Sequence, residues 1–222
     1  MKRYTVPILF IISCVFILTS CGFANKDVKK IYAYLEKSAN VEQNLSDMQK
    51  SLINNQKQEN DIYDKILDLK LNDGSKIESL SDKANKLTER RKDILKQEKK
   101  MIDGSYKQYE KAKPILNDLQ DKDDLKSKAE KVIHSASERY KTFNQLYKDY
   151  IDDIELNKNL YTLLHEKNLD QTAYKKQIDN INRKSKEITN LRNKFNDYTK
   201  AYNKAKLSLY NAGHLNVDYD DK

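Results

Sequence analysis

The sequence predicts an all-α protein: an elongated antiparallel helical bundle or coiled coil of about four long helices. Three observations carry this. Only 4 Gly and 2 Pro punctuate 222 residues, too few turn formers for most β-rich or α/β folds. Apolar residues recur with a period close to 3.5 along most of the chain, the spacing of a bundle seam. Charged residues make up 34% and hydrophobic residues 38%, which suits a thin core between solvated faces.

The first run places Ile31, Tyr34, Val41, Leu45, Met48, Leu52, Ile62, Ile66 and Leu69 in one 3-4 phase, with Ser38, Asn55 and Glu59 in its remaining seats. Asn72-Asp73-Gly74 reads as a turn, and Ser75 with Glu78 as a capping box at the next helix start. The second run carries Ile77, Leu80, Ala84, Leu87, Arg91, Ile94, Glu98 and Met101. It shifts near Gly104, continues through Ile102, Tyr106, Tyr109 and Leu116, and is expected to bend at Pro114. Asp121 opens the third run, with Asp124 placed to assist a cap; its core phase holds Leu125, Ala129, Val132, Ala136, Tyr140, Phe143, Tyr147, Tyr150, Ile154, Tyr161 and Leu164. The fourth starts near Asp170 and holds Tyr174, Ile178, Ile181, Ile188, Leu191, Phe195, Tyr198, Tyr202, Ala205 and Leu209. Gly213 reads as the helix stop, and Asp218 to Lys222 as frayed. Breaks near residues 73, 121 and 168 give four segments of roughly 45 residues, each roughly 65–70 Å long at the helical rise. The alternative is fewer, longer helices with the second segment broken at Gly104.

Ahead of the helices, Lys2 and Arg3 precede an apolar run from Val6 to Leu18 and then small residues, the order of an export signal. The run is too short to span a bilayer. Leu18-Thr19-Ser20-Cys21 resembles the bacterial lipobox, whose Cys thiolate attacks a diacylglyceryl donor before the leader is cut off. Other readings are a simple secretory peptide with a chance Cys, or an uncleaved anchor helix; the order of charge, apolar run, small residues and Cys favours lipidation. The expected organisation is therefore a leader over 1–20, lipidated Cys21 with a short linker over 21–26, one helical domain over 27–212, and a flexible tail over 213–222. Cleavage leaves 202 residues and a single Cys occupied by lipid, so no disulfide forms within the chain. Two acyl chains hold durably where one is marginal, which puts the protein on the outer face of the cytoplasmic membrane, facing the wall. Abundant Lys, Asn and Tyr, with no Asp after Cys21, are compatible with a Gram-positive source.

Net charge is +8, unevenly spread. Residues 83–113 hold 11 basic and 5 acidic residues, and 171–206 hold 10 and 3. Residues 22–82 and 118–170 are net −2 and −3. Two readings stand. In one, Arg90, Arg91, Lys96, Lys99, Lys100, Lys107, Lys184, Lys186, Arg192 and Lys194 form basic faces for a polyanion such as teichoic acid, anionic lipid headgroups or peptidoglycan carboxylates. In the other, basic helices simply pair with acidic ones.

Chemistry-bearing motifs are lacking. His134, His165 and His214 lie in different segments, with no second ligand at i+3 or i+4, so no metal is expected. There is no G-x-S-x-G turn, H-E-x-x-H helix or P-loop. Asp123-Asp124 and Asp152-Asp153 point about 100° apart on a helix and form no acid/base pair unaided. No enzyme activity is expected, and no cofactor beyond the diacylglycerol on Cys21. Fourteen Tyr follow the leader. Several sit at core phase, but Tyr106 and Tyr109 adjoin Lys99, Lys100, Lys107, Lys111 and Lys113 and are candidates for stacking on glycan rings.

The lipobox at Leu18–Cys21, the short link and about 190 Lys- and Tyr-rich helical residues resemble the YkyA-like family of cell-wall-binding lipoproteins of Gram-positive bacteria. The resemblance implies wall contact and transfers one functional residue, Cys21. The expected function is non-catalytic binding of wall polymer by a membrane-anchored lipoprotein. The alternative is a coiled-coil scaffold docking another envelope or secreted protein, for which an exposed apolar stripe is the discriminating feature. Export argues against nucleic acid as a partner.

Overall fold

Asn25 caps the first helix. Its Oδ1 accepts the backbone N–H of Asp27 at 2.9 Å and of Val28 at 3.3 Å, satisfying two of the donors a helix start leaves free. The computed structural model describes residues 16–18, 25–69, 73–119, 123–166, 169–215 and 217–219. Its helices are α1 (Lys26–Val41), α2 (Leu45–Leu67), α3 (Gly74–Asp118), α4 (Asp123–Leu164) and α5 (Gln171–Ala212). Two three-residue strands, β1 (Phe16–Leu18) and β2 (Val217–Tyr219), pair antiparallel with Phe16 opposite Tyr219. The protein is an all-α bundle of helices packed on one another, as the periodicity predicts.

The first expected helix is two helices. Glu42 N–H donates to Ala39 O at 2.9 Å, Gln43 N–H to Asn40 O at 3.4 Å, and Leu45 N–H to Glu42 O at 3.0 Å. These are i→i−3 bonds, the tighter winding of a 3₁₀ turn. No Gly or Pro marks the place; the turn instead positions the buried carboxylate of Glu42. Conversely, α3 runs unbroken through Gly104 and Pro114. Gly104 serves a close approach, since a Cβ there would lie 3.3 Å from Val41 Cγ1 at the end of α1.

The starts of α3 and α5 each follow an aspartate. Asp73 O accepts Lys76 N–H at 2.9 Å and Ile77 N–H at 3.0 Å. Ser75 therefore lies inside the first turn, and the expected Ser75/Glu78 capping box gives way to a helix that begins two residues earlier. Asp170 Oδ1 accepts Thr172 N–H at 2.8 Å and Ala173 N–H at 3.2 Å, a side-chain N-cap at the place where the fourth helix was expected to start. Asp121 and the leader outside 16–18, Cys21 included, lie outside the described residues.

The end of α5 is closed by its own hydrogen bonds. His214 takes a left-handed φ of 57°. Its N–H donates to Asn211 O at 3.0 Å and Leu215 N–H donates to Tyr210 O at 2.9 Å. That is the bond pair of a Schellman motif, sealed by an apolar contact between the flanking residues; Leu215 and Tyr210 are both buried in one cluster. Gly213 matters for space, because a Cβ there would meet Val28 Cγ1 at 2.6 Å. Its carbonyl accepts Asn25 N–H at 2.9 Å, joining the start of α1 to the end of α5.

The chain divides into two compact units. One comprises Asp47–Glu98 and Gln145–Arg192. Its core joins Tyr63, Ile66, Ala84, Leu160, Tyr161, Ile178 and Ile181, with a second cluster of Leu52, Leu95 and Ile154. The other unit comprises Phe10–Ser46, Lys99–Asn144 and Asn193–Lys222. Its core runs from Val28, Ile31 and Leu35 of α1 to Leu116, Leu125, Val132, Leu209 and Tyr210.

Candidate basic surface and the ion pairs beneath it

A basic residue on a bundle helix has two fates. At a seam it is buried and must be paired, since an isolated charge in a protein interior is costly. On the outer face it stays hydrated and available. The structure sorts the ten basic candidates between these.

In the first unit, Arg91 is 1% exposed. Its Nη1 donates to Glu59 Oε2 at 2.6 Å and its Nη2 to Asp153 Oδ2 at 2.9 Å. Tyr161 Oη donates to the other Glu59 oxygen at 3.1 Å. Burial alone would push the guanidinium down, but Glu59 and Asp153 together outweigh it and raise its pKa. Arg192 is 4% exposed. Neither reaches an external polymer, so both are withdrawn from the candidate surface. The reason was already in the periodicity: Arg91 sits at core phase, seven residues from Ala84 and Glu98. Glu98 is buried too, and desolvation pushes its carboxyl up to about 8.

Lys184 is largely enclosed by Asp149, Asp152 and Glu187, with Nζ–O distances of 3.4, 3.6 and 3.0 Å. Lys92 pairs with Glu155 at 2.7 Å, and Lys158 with Glu89 at 2.6 Å. Lys92 and Lys184 thus spend basic charge of α3 and α5 on acidic groups of α4, while the Lys158–Glu89 pair runs the other way. Arg90, Lys96 and Lys186 remain on this unit's surface. Lys96 keeps 56% of its side chain exposed despite Asp93 at 3.3 Å.

In the second unit, Lys100, Lys107 and Lys194 are exposed. Lys99 is partly shielded and pairs with Asp103. The aromatic candidates are occupied. Tyr106 stacks on Tyr140 with ring centroids 3.8 Å apart and planes within 6°. Tyr109 is 2% exposed and belongs to the core, where burial pushes its phenol up to about 12. Glycan stacking on Tyr109 is therefore withdrawn; its ring has no free face to offer.

Sequence reading missed Arg139, which binds Glu42 through both terminal nitrogens and donates from Nε to Thr199 Oγ1 at 3.0 Å. Its guanidinium also lies 4.9 Å above the Phe195 ring. Ser105 Oγ donates to the same Glu42 carboxylate, and Ser38 lies 2.7 Å from Ser105. The signal was present: Arg139 is three residues after Ala136 and four before Phe143, on the apolar face. Lys206 is likewise buried, 3.1 Å from Glu36.

One groove is present in the first unit, where the ends of α2 and α4 meet the starts of α3 and α5. It encloses about 680 Å³ between Ile66, Leu69, Ile77, Leu164, Leu169 and Tyr174, with Glu78, His165 and Glu166 also at its edge. Leu67 beside it is 46% exposed. Among the described residues no cluster of His, Cys, Asp or Glu is arranged to hold a metal, and no helix is long and apolar enough to cross a membrane.

Comparison with known proteins agrees with this framework. Residues 26–212 match a family described as "YkyA: Putative cell-wall binding lipoprotein". The chain is 33% identical over 201 residues to "Uncharacterized lipoprotein YkyA" of Bacillus subtilis (strain 168), covering 90% of this chain and 89% of that one. No solved structure matches.

Proposed function

The chain belongs to this lipoprotein family, and from that premise we propose that it is a membrane-anchored, non-catalytic binding protein of the cell envelope that holds an anionic wall polymer. Cys21 carries the diacylglyceryl anchor. Arg90, Lys96 and Lys186 in one unit, and Lys100, Lys107 and Lys194 in the other, provide the contacts. The single observation behind this reading is that these six side chains are exposed on the helix surfaces. Each hydrated contact contributes roughly 0–1 kcal/mol, so affinity comes from many contacts along one polymer. Co-sedimentation of the protein with purified wall sacculi, with and without teichoic acid and over a salt series, tests it. Pelleting that requires teichoic acid and is lost with salt supports the reading; no pelleting in any preparation contradicts it.

A second reading, docking of another envelope protein, draws on the groove beside Leu67. Its apolar lining and exposed leucine are what a helical or extended peptide would cover. Competition between a wall fraction and a protein partner, measured on Leu67→Asp, separates the two: that substitution weakens a protein partner and leaves polymer binding unchanged.

A further inference from the structure

The outer face of α1 carries four lysines on a single short helix. Lys26, Lys29, Lys30 and Lys37 are exposed, with Ala33 among them. The helix's two carboxylates do not pair with these lysines. Asp27 is half-buried, and Glu36 accepts from Lys206 at 3.1 Å and Tyr210 at 3.0 Å. Among the described residues none of the four lysines has a carboxylate within ion-pair distance. The opposite face is buried through Val28, Ile31, Leu35 and Ser38, so α1 cannot roll to hide its lysines without abandoning the core.

Position decides what such a face meets. Lys26 lies five residues after Cys21, a stretch that reaches at most about 18 Å when extended. With Cys21 lipidated, which is the anchoring part of the function proposed above, Lys26, Lys29 and Lys30 are held within about two Debye lengths of the headgroups. We propose that the lysine face of α1 docks on an anionic lipid surface, so that lipid and lysines together fix which side of the second unit faces the membrane. The occupant is a bilayer rich in acidic phospholipid. Lysines next to an anionic bilayer each raise partitioning roughly fivefold, several hundredfold for four.

The test uses the lipidated chain carrying Ala33→Cys with an environment-sensitive fluorophore, in phosphatidylcholine vesicles with and without phosphatidylglycerol. The label should report an apolar, shielded setting only with phosphatidylglycerol, and lose it in high salt or when the four lysines become Gln. In parallel, the chain without residues 1–20 and with Cys21→Ser should float on phosphatidylglycerol vesicles at low salt, several hundredfold better than its four-Gln counterpart. Identical Ala33 signals in both vesicle types, together with no lysine-dependent flotation, overturn the proposal. So does a label that responds to soluble poly(glycerol phosphate) but not to vesicles, which makes the polymer the occupant. If the lipidated chain fails to float on pure phosphatidylcholine, the anchor is at fault, and the Cys21→Ser measurement still decides the lysine face.

Discussion

Arg139 of α4 closes both terminal nitrogens on the carboxylate of Glu42, the residue at which α1 ends. The pair is buried, and its remaining valences are met by Thr199 and Ser105. A helix interruption without Gly or Pro thus coincides with an acid that has to turn inward to reach its partner. Truncating one partner leaves the other charge buried alone. Arg139→Met or Glu42→Ala should each cost about 3–5 kcal/mol, and the two together less than their sum. Denaturant titration of the singles and the double checks this.

Glu98 makes stability depend on pH. Its carboxyl is pushed up to about 8 by desolvation, so the folded chain binds more protons than the unfolded one between the ordinary carboxylate pKa and about pH 8. Stability from this group is full at low pH, falls as pH rises through that window and levels off above it. Glu98→Gln should remove this slope, which thermal unfolding across pH 5–9 would reveal; a parallel pH dependence in both chains would contradict the assignment.

The three glycines among the described residues should separate when changed to Ala. Gly213 is closed against Val28, so Gly213→Ala should cost about 1–3 kcal/mol, with Val28→Ala in the same chain restoring part of it. Gly104 stands 3.3 Å from Val41 and should cost less. Gly74 has open space around it, and Gly74→Ala should be neutral or stabilise by up to about 1 kcal/mol. Melting temperatures of the three variants give the ranking.

Most of this fold was legible in the sequence because helical periodicity is local. Ala84, Leu87, Val132, Phe143, Ile178 and Leu209 were placed inside from spacing alone, and all are buried. The turns near 73 and 168 were marked by Asp and Gly. Two things were not legible. The α1–α2 turn has no local signature, since it depends on Arg139, 97 residues away from Glu42. The candidate surface was overdrawn because charge counts ignore direction. Arg91 was read both as core phase and as surface, and its partners Glu59 and Asp153 resolve the conflict. Tyr109 adjoins lysines in sequence yet packs with Leu116 and Val132 in the core.

The central claim is that the six exposed basic residues hold an anionic wall polymer. The most direct measurement compares the protein with a chain in which Arg90, Lys96, Lys100, Lys107, Lys186 and Lys194 are all Gln. Both are sedimented with teichoic-acid-bearing sacculi over a salt series, with helicity checked by circular dichroism. At about 0.2–1 kcal/mol per contact, the substituted chain should bind roughly tenfold or more weakly and show a shallower salt dependence. Equal binding with an equal salt slope, in a chain of unchanged helicity, would contradict the claim.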